Sequence, residues 1–392
     1  MYTEVYNGDV QDSPYTPGVT AVQLVGRDKA LMDGRALFHQ VKAKKFAGRL
    51  RTYVGPRGVG KTSLLRVLQS IATSEGFTTV WITAGEGSLI DDLLAGIESA
   101  ATTLSDRAKA AIHAAIENVK LTLPGLEISA SFDRSAKRQA SLGRQLEELL
   151  LTVGREIAKK KDVAGLGIFI DEIQAADGAS LRSLAYAWQN LQSVGKDLPL
   201  FCLSAGLSHT QDVITEYVSF GERFEYVHLA NLTRTEAAHA LEDPAGRLGV
   251  TWDFSALSQA CDLARGYPYF IQLIGDKAWR HANYPEPGAT ITPAQITDAI
   301  ADFTAERNNF FRARWMKATD TEIAIMTAMA NLGDGPVRRR DVAKKLGWST
   351  QRLSMPRQSL MDKGLVESPE WGYLSFTAPG FAQYVREISD AD

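Results

Sequence analysis

Eight consecutive residues, Gly55-Pro56-Arg57-Gly58-Val59-Gly60-Lys61-Thr62, have the types and spacing needed to hold a polyphosphate. Glycines in a G-x-x-x-x-G-K-T run let the backbone curl until several N–H groups converge on one phosphate. A helix opening there adds the positive end of its dipole. Lys61 is expected to reach the β- and γ-phosphates, and the Thr62 hydroxyl to face Mg²⁺. Pro56, Arg57, Val59 and Ser63 complete the set expected against the nucleotide. A second stretch, Gly165-Leu166-Gly167-Ile168-Phe169-Ile170-Asp171-Glu172, is an apolar run ending in two acids. Asp171 is expected to hold Mg²⁺ through water, and Glu172 to polarise an attacking water. Loop and acids together predict ATP binding and hydrolysis to ADP and phosphate. A third apolar run, Leu198–Gly206, carries Ser204 near its end, with Ser208 and His209 behind it. Ser204 is a candidate for sensing the γ-phosphate; a capped strand end explains it equally well.

These residues need elements to position them. Leu50–Val54 reads as a strand before the loop, and Ser63–Leu68 begins a helix with apolar positions at helical spacing. Thr78–Thr83 alternates and is β-branched, a second strand. Helices are expected over Ser88–Leu104 and Asp106–Val119, with Ser88 and Ser105 as N-caps, and over Ala136–Lys161 and Asp177–Ser193. The apolar runs at 165–171 and 198–206 read as buried parallel strands, and Phe220–Leu229 as a turn and a last strand. Leu126–Phe132 alternates like a surface hairpin within an insertion. Strands alternating with helices predict an α/β fold, a P-loop three-layer parallel sheet. Parallel sheets bind ligands at the C-terminal ends of their strands, which is where Asp171 and Glu172 fall.

Beyond Leu232 the pattern turns helical. Thr233 and Glu236 form a capping box, further helices follow to His281, and Pro285-Glu286-Pro287-Gly288 marks a linker. Thr292-Pro293 opens another helix. From about Asp320, three short helices, a hairpin (365–376) and a closing helix have the segment order of a winged helix. The expected organisation is an N-terminal, poorly ordered arm at 1–20 and an α/β domain at 21–230. A small helical domain follows at 231–290, then a linker helix and winged helix at 291–392.

With 392 residues, 45% hydrophobic and 23% charged, the composition is that of a globular protein of two or three domains. A net charge of −3 gives no global signal for nucleic acid or membrane. The two cysteines, Cys202 and Cys261, lie far apart in apolar surroundings and form no metal motif. No apolar run is long enough to span a bilayer, and Met1–Pro17 lacks the basic start and apolar stretch of a signal peptide, so a cytoplasmic location is the default expectation. Charge is uneven, however. Between Phe310 and Leu365 stand eleven basic residues, Arg312, Arg314, Lys317, Arg338, Arg339, Arg340, Lys344, Lys345, Arg352, Arg357 and Lys363. Five acids oppose them, Asp320, Glu322, Asp334, Asp341 and Asp362. Arg352 and Arg357, with Gln351, Ser354 and Gln358, fall on the expected recognition helix. Such a face fits duplex DNA as a partner; a winged helix with a solvated basic surface that contacts protein is the alternative.

The order of Val25-Gly26-Arg27-Asp28, the loop Gly55–Thr62, Ile168–Glu172 and Gly266-Tyr267-Pro268 resembles the AAA+ superfamily of P-loop ATPases. Within it the chain is similar to the archaeal-type and origin-recognition-like branch that borders on STAND ATPases. The resemblance implies that Val25, Gly26 and Arg27 border the adenine and that the helical domain is a lid over the nucleotide. It also implies that Arg223, between the sensor strand and the last strand, acts as an arginine finger on a neighbouring copy, which would require self-association. A surface salt bridge is the other reading of Arg223. One departure stands out: initiator-type ATPases carry an arginine just after the glycine turn, where this chain has Tyr267-Pro268-Tyr269, with Arg265 before the turn. Slow, partner-regulated hydrolysis is the expectation that follows. The output is either a DNA-associated switch or a STAND-like signalling or assembly ATPase with a protein effector.

Overall fold

The computed structural model describes residues 11–19, 24–123 and 132–390, with the side chains of 132–141 left aside. The chain divides into two units: residues 1–26, 56–60 and 230–392 form one, and residues 27–55 and 61–229 the other.

The second unit carries the parallel sheet. In chain order its elements are α1 (Asp28–Lys42), β1 (Arg51–Val54), α2 (Lys61–Ser74), β2 (Phe77–Thr83), α3 (Leu89–Ala101), α4 (Asp106–Thr122), α5 (Phe132–Ala158), β3 (Gly165–Asp171), α6 (Gly178–Val194), β4 (Leu200–Gly206), α7 (Thr210–Tyr217) and β5 (Glu225–His228). The five strands run parallel in the order β2-β3-β4-β1-β5. Every residue of β3 and β4 is buried, which a strand covered on both faces requires. Alternation sorts their side chains to the two faces. Leu166, Ile168 and Ile170 of β3, with Leu200 and Cys202 of β4, join Ile90, Leu94, Leu146, Leu150 and Leu184 of α3, α5 and α6. Phe169 and Phe201 point the other way, into a ring cluster with Phe77 and with Phe38 of α1. Ser88, Ser105 and Asp177 cap α3, α4 and α6 with their side chains. The hairpin expected over 126–132 lies outside the described residues, except that Phe132 opens α5.

The first unit is mainly helical. It contains α8 (Arg234–Arg247), β6 (Thr251–Trp252), α9 (Phe254–Ala264), α10 (Pro268–His281), β7 (Thr290–Ile291) and α11 (Pro293–Trp315). The Thr233–Glu236 capping box is formed at the start of α8. The short parallel pair β6–β7 had no counterpart in the sequence pattern. Then come α12 (Asp320–Ala330), β8 (Val337–Arg338), α13 (Arg339–Leu346), α14 (Ser354–Asp362), β9 (Val366–Glu367), β10 (Tyr373–Phe376) and α15 (Phe381–Ser389). The strands form an antiparallel sheet in the order β8-β10-β9. Because α14 begins at Ser354, Gln351 and Arg352 precede it in a turn rather than lying on a helix.

The arm at 1–20 needs correction over residues 11–18. Tyr15 is 2% exposed, its hydroxyl donates to the Leu241 carbonyl at 2.5 Å, and it accepts from the Trp252 indole at 3.1 Å. The Trp279 indole donates to the Gln11 carbonyl at 3.1 Å, and Gln11 donates to the Pro285 carbonyl at 2.8 Å. An aromatic ring with two satisfied polar contacts anchors this segment among α8, β6 and α10, giving an extended stretch a fixed place without secondary structure of its own.

Candidate active site

The sheet brings the chemistry-bearing residues of the second unit to the C-terminal ends of its strands. β1 ends at Val54, so Gly55 begins the loop there, and its N–H donates to the Gly206 carbonyl at 3.3 Å. α2 opens at Lys61. The Lys61 ammonium donates to the Gly55 carbonyl at 2.9 Å, and the side chain is buried. The Thr62 hydroxyl donates to Asp171 Oδ2 at 2.8 Å. Ser63 follows in the same helical turn. Asp171, the last residue of β3, is 6% exposed. Burial is the largest influence on its carboxyl and pushes it up from the ordinary value; Glu172 adds to this, while Thr62 and Lys61 pull it back. A carboxylate and a hydroxyl already paired, in a setting that penalises the anion, form a hard-oxygen donor set suited to a divalent cation.

Glu172 stands just past the strand end with φ 53° and ψ 38°, in the left-handed region. For a residue with a side chain this costs on the order of 1–3 kcal/mol, a strain found at functional positions. Its side chain is half-buried, and Gln174 donates to its Oε2 at 2.6 Å. Gln174 had no role in the sequence reading; the available signal was a polar side chain two residues beyond the paired acids.

Ser204 is placed elsewhere. Its hydroxyl is 0% exposed and shares a 2.8 Å hydrogen bond with Thr52, its partner in register on β1. It lies inside the sheet, two residues short of the end of β4, and offers no hydroxyl to a phosphate. The strand end at Gly206 is as expected; the Ser204 side chain is taken up by Thr52 of the neighbouring strand. Arg223 is exposed in the 3-10 turn Gly221–Arg223 before β5. Arg27 is buried and its carbonyl accepts from Leu31 N–H at the start of α1.

In the first unit, Val25 packs against the helical core, and a Cβ at Gly26 (φ +68°) would meet Glu236 at 2.7 Å. The middle of the phosphate loop, Pro56–Gly60, also groups with this unit. Gly58 and Gly60 have φ of +87° and +94°, the conformation that glycine allows and that turns loop amides inward. Tyr267 is fully buried and its hydroxyl donates to the Arg57 carbonyl at 2.5 Å; a Cβ at Gly58 would collide with that hydroxyl. Thus Tyr267, which stands where the resemblance places an arginine, caps the loop through its hydroxyl. Arg265 is exposed at the left-handed end of α9. Arg314 of α11 stacks 3.5 Å over Phe310 and lies within electrostatic reach of Tyr267 and Arg57; burial pushes its guanidinium down.

Comparison with known proteins now bears on this geometry. Residues 23–203 match the AAA ATPase domain family. The match spans the loop and both acids, and it supports an AAA+ P-loop ATPase. Residues 308–385 match a domain of unknown function, DUF8462. Among solved structures the chain is similar to a Walker-type ATPase of Pyrococcus abyssi, at 15% identity and TM-score 0.57, covering 95% of this chain and 98% of that one. At this identity the likeness shows the fold. Two further similar structures are the RuvB Holliday junction branch migration motor of Thermotoga maritima and Cdc6p of Pyrobaculum aerophilum. RuvB matches at 13% identity, TM-score 0.46 and 93% and 95% coverage. Cdc6p matches at 14% identity, TM-score 0.45 and 96% and 97% coverage. No curated protein matches the chain. No helix among the described residues is long and apolar enough to cross a membrane.

Proposed function

We propose that this chain is an ATP-binding and ATP-hydrolysing switch that associates with duplex DNA through its C-terminal segment. The 2.8 Å bond between the Thr62 hydroxyl and Asp171 carries the ATPase reading, because it joins the loop to the paired acids. Thr62 and Asp171 would hold Mg²⁺, which supplies charge neutralisation at the phosphates when bound. Lys61 holds the β- and γ-phosphates, while the loop amides from Gly55 to Thr62 and Ser63 cradle them. Glu172 orients the attacking water and takes its proton. Val25, Gly26 and Arg27 border the adenine, and Arg223 reaches the site of a neighbouring copy. Lys61→Ala is expected to lose ATP binding. Glu172→Gln is expected to keep binding and lose turnover by about a hundredfold or more; unchanged turnover in that variant would remove Glu172 from its role.

The helix and strand order from α12 to β10 supports a winged helix. Arg312, Lys317, Arg340, Lys344, Lys345 and Arg352 are exposed, and this footprint favours duplex DNA. Other cations of the segment are engaged internally: Lys363 pairs with Glu322, Arg339 donates to the Thr350 carbonyl, and Arg338 to the Tyr373 hydroxyl. A second reading, a signalling or assembly switch with a protein effector, is favoured by the turn after α14. There a Cβ at Gly364 would sit 3.4 Å from the Arg57 side chain of the phosphate loop. The β9–β10 turn also carries Glu370 and a 98% exposed Trp371, an acidic and apolar tip poorly suited to a phosphate backbone. ATP hydrolysis measured with and without duplex DNA, across salt and protein concentrations, separates the two. Stimulation and binding that fall steeply with salt support DNA; binding that is absent at low salt sinks it in favour of the effector reading.

A further inference from the structure

Glu172 does not stand alone at the end of β3. Gln174, in the 3-10 turn Ile173–Ala175, donates from Nε2 to Glu172 Oε2 at 2.6 Å. Its other end is fixed just as firmly. Gln174 Oε1 accepts the Leu207 N–H at 3.1 Å and faces the Thr210 hydroxyl at 3.5 Å. The Leu207 amide can only donate, so the carboxamide oxygen must face it, and Nε2 must then face Glu172. Thr210 is itself immobilised: it is 0% exposed and donates to the Leu207 carbonyl at 2.6 Å. Gly206 leaves the room this requires, since a Cβ there would come within 2.6 Å of Gln174 Oε1 and collide with Thr210.

We propose that Gln174 is a positioning residue that holds the Glu172 carboxylate and couples it to the corner between β4 and α7. The proposal rests on the reading of Glu172 as the group that activates water. One carboxylate oxygen is held by the amide, which fixes the direction of the other toward the water. A shift of Leu207 or Thr210 would withdraw the anchor from Gln174 Oε1, free its side chain to rotate and release Glu172. An event that moves the start of α7 is thereby converted into a change in hydrolysis rate, with no change in the groups that hold the nucleotide.

The test is single-turnover ATP hydrolysis, together with ATP affinity, for the full chain carrying Gln174→Leu, Gln174→Glu or Glu172→Gln. Gln174→Leu is expected to lower the hydrolysis rate about tenfold, as for loss of a hydrogen bond to a charged group. ATP affinity should stay within about twofold, so the loss falls on the chemical step and not on binding. Gln174→Glu keeps an acceptor for the Leu207 amide and so guards against misfolding. It replaces the donor to Glu172 by a like charge, and should lower the rate at least as far as Gln174→Leu does, again with ATP affinity kept. If Glu172→Gln abolishes hydrolysis while both Gln174 variants keep the rate of the unaltered chain, the positioning role falls and the ATPase reading stands. If Glu172→Gln hydrolyses ATP normally, or the unaltered chain does not hydrolyse it at all, both fall.

Discussion

Asp171 bears a cost that its chemistry explains. Burial is the larger influence and raises its carboxyl above the ordinary value, and the hydrogen bond from Thr62 only partly offsets this. An acid raised on folding holds its proton more tightly in the folded chain. Stability therefore falls as pH rises through the interval from the ordinary carboxylate value to the raised one. Asp171→Asn, whose carbonyl can still accept from Thr62, should melt at a higher temperature than the unaltered protein at neutral pH. The difference should close as pH falls through that interval, and thermal melts from acid to neutral pH would show it. The same variant should lose Mg²⁺-dependent hydrolysis by about a hundredfold or more, the scale of several kcal/mol of transition-state stabilisation. At this scale the grouping was legible: Lys61, Thr62, Asp171 and Glu172 stand out by residue type and spacing, and the ends of β1 and β3 bring them together. Ser204 misled because a serine near the end of an apolar run looks the same whether it stops the strand or lies within it. Gln174 was illegible because its importance comes from Leu207 and Thr210, which only the fold brings near.

Elements were read best where a cap or an apolar period marks them. Ser88, Ser105, Asp177 and Thr233 all cap the helices expected of them. Thr319 does the same for α12, and its capping partner Glu322 has a second task. Glu322 is 2% exposed and pairs with Lys363 at 2.6 Å, tying the start of α12 to the end of α14. Burial alone would raise the Glu322 carboxyl. Hydrogen bonds from Lys363 and Ser359 and from the Thr319 amide outweigh burial and leave the carboxyl below its ordinary value. An acid lowered on folding contributes stability that is full above the ordinary carboxylate range and is lost as pH falls through the lowered value. Glu322→Gln can keep the cap but not the ion pair. It should cost about 2 kcal/mol at neutral pH, the worth of a hydrogen bond between charged groups in a partly buried setting. Denaturant titrations at neutral and acid pH would show that penalty shrinking in acid. The two-residue strands β6 and β7 left no periodic trace, since two residues are too few to display an alternation.

Over the whole chain, alternating strands and helices foretold a parallel sheet, but not its order β2-β3-β4-β1-β5. Strand order depends on which buried faces fit together, and β3 and β4 are buried from end to end, so neither marks its neighbours by an alternation. The place of residues 11–18 was beyond local reading for a stronger reason: the partners of Gln11 and Tyr15 lie 226 to 274 residues away. Tyr15→Phe would leave the Leu241 carbonyl and the Trp252 indole without their buried partner. Its expected cost is about 1–3 kcal/mol for the first unit, measurable by hydrogen exchange at the amides of α8 and α10.

That long-range closure sets a timetable for a nascent chain. Residues 61–229 hold the strands β2 to β5 and most of the helices around them, so this unit has nearly all its partners once Leu229 has left the ribosome. The segment bearing Tyr15 emerges before this unit does, yet it must wait for Leu241, Trp252 and Trp279 before it can be seated. While residues 61–229 are being made, then, the segment around Tyr15 is solvent-accessible and awaits its late-made acceptor. Chains stalled near Ala230 should resist protease over the sheet unit and be clipped around Tyr15; chains stalled well beyond His281 should be protected at both.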